Sequence, residues 1–290
     1  MSVLWNLLNQ VQKRGLISRG VKSLTAQVRG TEVHYYLAEF GAKGPPLVLL
    51  HGLGADAHNF TFTIAPFAKY FSRVYALSLP GCGFSPLPMS GPLDVYAHFD
   101  VLRRFINEVV GEKVVLLGNS LGGALSLFQL LAHPDSLHAA VLVAPAGAPA
   151  TSGEMHVVLE AFAARSDEQV RAFLHKVFAQ PKPVMLRFPG VTRAMLSTPA
   201  VKHLAKTIKL SDMLKEGELA SLRVPTLLVW GGQEKLLPKS APEFFRRNLP
   251  PEFGRVDVVE GYGHLPQLEF PRDLIARVVN FAAEKKLLET

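Results

Sequence analysis

Val114-Val115-Leu116-Leu117-Gly118-Asn119-Ser120-Leu121-Gly122-Gly123 is the stretch on which the fold turns. Four consecutive apolar residues without alternation are what a strand buried on both faces requires. The pattern Gly118-x-Ser120-x-Gly122 follows without a spacer, and an apolar, helix-like stretch then runs to Leu131. Alone, G-x-S-x-G is weak, because ordinary glycine and serine frequencies produce it in about one chain in ten of this length. Its setting makes it informative. A sharp bend between a buried strand and a helix pushes a serine Oγ out above a sheet, and the flanking glycines leave room where a Cβ would clash.

Working outward, similar apolar runs stand at 47–50, 74–77, 139–144, 226–230 and 256–259, each followed by a helical stretch. Strand–helix repetition implies parallel pairing through right-handed crossovers. Ahead of these runs, 24–28 and 33–37 are joined around Arg29-Gly30-Thr31 and read as a β-hairpin. The expected class is α/β: a mostly parallel central sheet with an antiparallel N-terminal hairpin and helices on both faces. The rhythm lapses between about Gly147 and Leu222. There 157–164, 168–178 and 201–214 are helical in pattern, broken by Pro181, Pro183, Pro189 and Pro199, which predicts a helical cap insertion. The expected division is therefore an N-terminal amphipathic helix and lead-in (1–22), a first core part (23–146), a cap (147–222) and a second core part (223–290).

With 290 residues, 48% apolar and 19% charged, the chain buries a real core. One cysteine, Cys82, excludes an intrachain disulfide. No apolar run reaches the ~20 residues that span a bilayer. Lys13-Arg14 follows the first apolar residues rather than preceding them, unlike a signal peptide, so a cytoplasmic setting is the default. The net charge of +7 is uneven: residues 1–31 hold five basic residues and no acid, and 151–215 hold ten against five. Such patches suit anionic lipid surfaces or acidic substrates, and are equally common as solvated faces. No nucleic-acid reader module accompanies them. Val3, Leu4, Leu7, Leu8 and Val11 recur at helical spacing up to a stop at Gly15. This helix either docks on its own domain or touches a membrane through residues 3–14, with Trp5 as interfacial anchor.

Candidate chemistry gathers in the loops after the apolar runs. His51-Gly52-Leu53-Gly54 follows the run at 47–50. A developing oxyanion needs two backbone N–H donors aimed at one point. Leu121, beside Ser120 at a helix N-terminus, would supply one, and Leu53 the other; His51 reads as a brace for its loop. Gly263-His264 follows the last run. An imidazole there can accept a serine proton and return it to a leaving group. His98, His138, His156, His175 and His203 fall in helical patterns and read as packing or surface residues. Gly231-Gly232-Gln233-Glu234-Lys235 follows the run at 226–230. A carboxylate at Glu234 would hold the imidazole tautomer that leaves the other nitrogen facing Ser120; the alternatives are a solvated Glu234 paired with Lys235, or Asp212 or Glu218 as the acid. With no H-E-x-x-H, no cysteine cluster and no phosphate-cradling loop, neither metal nor cofactor is expected.

Together these residues resemble the capped α/β-hydrolase superfamily, which includes carboxylesterases, monoglyceride lipases, epoxide hydrolases, haloalkane dehalogenases and meta-cleavage-product hydrolases. The likeness covers roughly residues 24–288 outside the cap. It rests on the oxyanion loop at His51-Gly52-Leu53-Gly54, on Pro80-Gly81-Cys82-Gly83-Phe84-Ser85, on the elbow between Gly118 and Gly122, on the acid loop at Trp230–Glu234, and on the base loop at Gly263-His264. The chain order Ser120…Glu234…His264 is the order of this fold. Two departures stand out: Glu234 replaces the usual Asp, and Ser78-Leu79 stand where an Asp often begins the loop after the fourth strand. The resemblance implies hydrolysis of a small-molecule carboxylic ester, with an apolar acyl or lipid-like group, through an acyl-enzyme. Phe162, Phe173, Phe178, Phe188, Met195 and Leu265 are the expected pocket residues, unless they only pack the cap, and cap Lys and Arg residues would attract an acidic head group. A serine nucleophile argues against epoxide hydrolases and dehalogenases, which use Asp. The alternative is carbon–carbon hydrolysis of the meta-cleavage type, although Leu265 stands where those enzymes carry Trp. A third reading is a non-catalytic binding protein. The sequence carries no signal of oligomeric state.

Overall fold

A computed structural model describes residues 3–288. Met1, Ser2, Glu289 and Thr290, included in the expected boundaries, lie outside the described residues, as do the side chains of Val3 and Leu4. The strands are β1 (Lys22–Val28), β2 (Thr31–Ala38), β3 (Leu47–Leu50), β4 (Val74–Leu77), β5 (Val114–Asn119), β6 (Leu137–Val143), β7 (Thr226–Gly231) and β8 (Gly254–Val259). They form one eight-stranded sheet in the order β1-β2-β4-β3-β5-β6-β7-β8. Strand β2 runs antiparallel to both β1 and β4, and every other pair is parallel. The antiparallel hairpin and parallel centre expected from the sequence are both present.

Strands β3, β4, β5 and β7 are buried along their whole length, as their unbroken apolar runs require. Strand β8 differs from the expectation. It has a single neighbour and is only half-buried, and its Arg255 and Asp257 pair with each other at 3.2 Å. Charges on an edge strand discourage pairing with another chain. His138, expected in a helical stretch, stands in β6.

The first helices are α1 (Val3–Ile17), α2 (Ile64–Phe67), α3 (Val95–Arg104) and α4 (Leu121–Ala132). Between β6 and β7 come α5 (Ser152–Phe162), α6 (Asp167–Val177), α7 (Pro183–Arg187), α8 (Gly190–Leu196) and α9 (Pro199–Thr207), and no strand. After β7 follow α10 (Ala241–Asn248), α11 (Pro266–Glu269) and α12 (Pro271–Glu284). One face of the sheet packs Leu102 of α3, Leu125 of α4 and Phe245 of α10; the other packs Phe67 of α2 and Leu274 and Phe281 of α12. The helical segment between β6 and β7 is punctuated as its prolines require. Pro183 and Pro199 open α7 and α9, where a missing N–H costs nothing, and Pro189 caps α8. Reciprocal side-chain caps start α5 (Thr151, Glu154) and α6 (Ser166, Gln169). Phe162, Phe173 and Leu174 gather here with Leu236 from the loop after β7, which seats the helices over the sheet's carboxyl end.

Helix α1 runs through Gly15 rather than stopping there. It also docks by an unexpected face. Trp5, Asn9 and Gln12 line a cavity and Leu16 is buried, whereas Leu7 and Val11 are 58% and 56% exposed. The inward positions follow the helical repeat as faithfully as the apolar ones do. The reason is that the surface α1 covers at this end is polar.

Candidate active site

Strand β5 ends at Asn119 and α4 begins at Leu121, so Ser120 alone makes the bend, with φ 56° and ψ −118°. A side chain at such angles is strained, typically by about 1–3 kcal/mol, and persists only where its surroundings enforce it. Here they do. A Cβ on Gly118 would run into the Gly122 carbonyl, and one on Gly122 into the Leu50 carbonyl. Ser120 N–H donates to Val143 O at 3.1 Å, and Ser120 O accepts from Ala146 N at 3.0 Å, which ties the bend to the end of β6.

Leu53 and Leu121 flank Ser120. Among the described residues, neither backbone N–H donates a hydrogen bond within the protein. The loop bearing Leu53 is held by His51, whose Nε2 accepts from Leu79 N at 3.0 Å. His51 Nδ1 must then carry the proton and donate to Gly52 O at 2.8 Å. Burial pushes the His51 imidazole down, which keeps this neutral brace at ordinary pH.

The structure brings Glu234 and His264 together across thirty residues of sequence: Glu234 Oε2 lies 2.7 Å from His264 Nδ1, and both side chains are buried. Glu234 Oε1 accepts from Leu236 N at 2.7 Å and Leu237 N at 3.1 Å. Burial alone would raise this carboxyl, but the imidazole and the two backbone donors outweigh it and hold it below the usual carboxylate range. Glu234 is therefore neither solvated nor paired with Lys235. Asp212 is half-buried and accepts from Tyr96 Oη at 2.9 Å, and Glu218 caps the Lys215 N–H at 3.0 Å. His264 N–H donates to Val177 O at 3.0 Å, and Glu269 accepts from Ala179 N at 3.2 Å, so the base loop is tied to the end of α6.

Sequence reasoning missed Asn119 and Gln267. Asn119 Nδ2 donates to Val143 O and to His264 O, both at 3.0 Å, and its Oδ1 accepts from Gln267 Nε2 at 3.0 Å. The unspecified residue of the elbow thus tethers the backbone of His264. Its only sequence signal is a polar residue inside an otherwise apolar strand.

Ser120 and His264 both line a cavity of about 230 Å³, together with Phe162, Phe173, Phe178, Met195 and Leu265. A second cavity, of about 90 Å³, meets Ser120 from the Leu121 side and is walled by apolar residues such as Pro145, Met155 and Met213. Two expectations need correction. Phe188 lines neither cavity and is 55% exposed, because it stands just past the short helix α7, whose Met185 turns inward instead. Among the described residues, no Lys or Arg lines either cavity, so the basic residues of the cap, expected near an acidic head group, are not part of these walls.

A family model described as alpha/beta hydrolase fold matches residues 45–271. The chain is 29% identical over 279 residues to a dihydrolipoyllysine-residue acetyltransferase component of an acetoin cleaving system from Pseudomonas putida, covering 91% of this chain and 70% of that protein. It is 26% identical over 283 residues to lipase 1 of Psychrobacter immobilis, covering 93% and 85%. Among solved structures, a bacterial membrane phospholipase A superposes with a TM-score of 0.84 at 27% identity, covering 97% of this chain and 92% of that one.

Proposed function

The chain belongs to the α/β-hydrolase fold family, and from that premise we propose that it hydrolyses carboxylic esters through Ser120, His264 and Glu234. Ser120 Oγ attacks the ester carbonyl carbon while His264 Nε2 takes its proton. The carbonyl oxygen becomes an oxyanion and accepts from Leu53 N–H and Leu121 N–H. Collapse expels the alcohol, which receives the proton from His264. Water, deprotonated by the same imidazole, then attacks the acyl-enzyme and frees the acid and Ser120. Glu234 fixes the tautomer and balances the imidazolium. The observation that carries the reading is the buried 2.7 Å contact between Glu234 Oε2 and His264 Nδ1, on a cavity that Ser120 shares. An anionic dienoate, the substrate of carbon–carbon hydrolysis, is disfavoured by a cavity that holds Asp56 and, among the described residues, no Lys or Arg. The test is labelling by a fluorophosphonate probe, followed on unlabelled protein by a panel of p-nitrophenyl esters. A protein that neither labels nor turns over any ester would be a binding protein.

Asn119 supports the reading as a tether of the base loop. Asn119→Ala should lower kcat by about tenfold or more with KM little changed, since the loss of its three hydrogen bonds releases His264. A variant with unchanged kcat and only a lower Tm would reduce Asn119 to scaffolding.

The proposal includes contact of α1 with an anionic lipid surface. Leu7 and Val11 are exposed on a helix whose surrounding residues 1–31 carry five bases and no acid. Among the described residues no helix is long and apolar enough to cross a membrane. Leu7→Glu with Val11→Glu should cut co-sedimentation with phosphatidylglycerol vesicles by about fivefold or more, while turnover of a soluble butyrate ester stays at the wild-type level. Equal sedimentation of variant and wild type would remove the lipid contact from the proposal.

A further inference from the structure

Two cavities meet at Ser120, and they differ in size and in what borders them. Leu53, Ser120 and Phe162 line both. Of the two, His264 borders only the larger, of about 230 Å³, and Leu121 only the smaller, of about 90 Å³. Among the described residues of the smaller cavity, Ser120 is the one polar side chain. Met155, Val158 and Leu159 share one face of α5 and form one of its walls. Ile208 and Met213, on the connection between α9 and β7, form another, and Leu214 N–H fastens that connection to Gly147 O at 2.8 Å.

The stereochemistry of ester cleavage decides which half of a substrate enters which cavity. The tetrahedral carbon formed at Ser120 carries four groups: Ser120 Oγ, the oxyanion, the alcohol oxygen and the first carbon of the acyl chain. Leu53 and Leu121 N–H hold the oxyanion. The alcohol oxygen must lie within about 3 Å of His264 Nε2, because it leaves with the proton that this nitrogen took from Ser120. As that carbon–oxygen bond breaks, its electron pair goes to the departing oxygen and the carbonyl reforms on the acyl-enzyme. The alcohol half therefore lies on the His264 side, in the larger cavity. The acyl chain is the group that remains, and the smaller cavity beside Leu121 is the space that remains for it.

We infer that the smaller cavity is the acyl subsite and that Met155 and Met213 set its depth, so that the protein selects strictly for a short, unsubstituted acyl group and loosely for a larger alcohol. The inference rests on the serine ester hydrolase reading above. An apolar cavity of about 150 Å³ takes a benzene ring, so one of about 90 Å³ seats a chain of about four carbons. A hydroxyl or carboxylate on that chain would be buried with no side chain but Ser120 to meet it, which is costly. The long, lipid-like half of the ester is then its alcohol rather than its acid. Ala146 N–H, donating to Ser120 O at 3.0 Å, fixes one side of the subsite against the nucleophile, whereas the unbranched thioethers at 155 and 213 can be cut back without disturbing it.

The experiment uses three esters: butyl butanoate, decyl butanoate and butyl decanoate. The last two are isomers, matched in hydrophobicity and different only in which half is long. Wild-type protein should favour decyl butanoate over butyl decanoate by about tenfold or more in kcat/KM, because a single methylene that a pocket cannot seat already costs about that much. Met213→Ala should raise kcat/KM for butyl decanoate relative to butyl butanoate by about fivefold or more, and leave the ratio of decyl to butyl butanoate within about twofold. Met195→Ala, which enlarges only the larger cavity, should leave the acyl comparison unmoved. Should Met213→Ala fail to fold, Met155→Ala reads the same comparison from the other wall. An isomer ratio near one or inverted, or a Met213→Ala or Met155→Ala protein that shifts the alcohol comparison instead, or neither, would overturn the inference. Failure of the underlying reading looks different: wild type would hydrolyse none of the three esters and would take no fluorophosphonate label.

Discussion

Replacing Ser120 by Ala should abolish fluorophosphonate labelling and lower ester turnover by roughly 10⁵-fold or more, the scale on which removal of a serine nucleophile acts. Turnover that survives in Ser120→Ala would reject the assignment outright. A second replacement separates chemistry from strain. Ser120→Gly also lacks the nucleophile, yet glycine adopts φ 56° and ψ −118° without clash. Relief of about 1–3 kcal/mol of backbone strain opposes the extra unfolded-state entropy of glycine, about 0.4–1 kcal/mol. The glycine variant should therefore be the more stable of two inactive proteins, with a Tm about 1–3 °C above that of Ser120→Ala. Equal or reversed Tm values would mean that the bend holds no strain, and its tight glycines would then need another explanation.

The strained bend is also what made the sequence readable. Gly118 and Gly122 stand where any Cβ would strike a carbonyl. A local steric demand of that kind leaves a mark within a few residues of chain. The buried strands left a similar mark, since a run such as 114–117 has no polar face to offer solvent. Strand β8 left a weaker one, because an edge strand has one neighbour and keeps charges at Arg255 and Asp257. What could not be read was set by partners far away in sequence. Asn119 matters through the carbonyl of His264 and through Gln267, which spacing cannot connect to it. Met185 lies in a short helix and Phe188 just past its end, and only the position of that helix over the cavity decides which of them faces it. Helix α1 is the sharpest case. Its apolar repeat was plain, but the polar repeat Asn9-Gln12 was equally regular, and the chemistry of the surface beneath chose between them.

Glu234→Gln should cost about 10³–10⁴-fold in kcat, less than losing the nucleophile or the base but large for an exchange so close to isosteric. The wild-type carboxylate accepts on both oxygens, from Leu236 and Leu237 N–H on Oε1 and from His264 Nδ1 on Oε2. An amide has one accepting atom. If its oxygen keeps the two backbone donors, its NH₂ faces His264 Nδ1. The ring must then carry its proton on Nε2, where the serine proton has to go. If the amide flips, its NH₂ confronts two N–H groups in a buried loop, and stability falls instead. Glu234→Asp keeps the charge but shortens the reach, so its activity should fall between the two. The pH dependence of stability gives an independent check. Because the folded protein holds the Glu234 carboxyl below its ordinary value, ionised Glu234 contributes stability that is fully present above the unfolded-state value, ~4.3, and is lost as pH falls through the lower folded-state value. Denaturant melts should therefore find wild type ahead of Glu234→Gln at pH 7, with the gap closing in acid below about pH 4. A glutamine variant that retains more than a tenth of wild-type kcat, or a gap that widens in acid, would show that the imidazole takes its orientation from somewhere else.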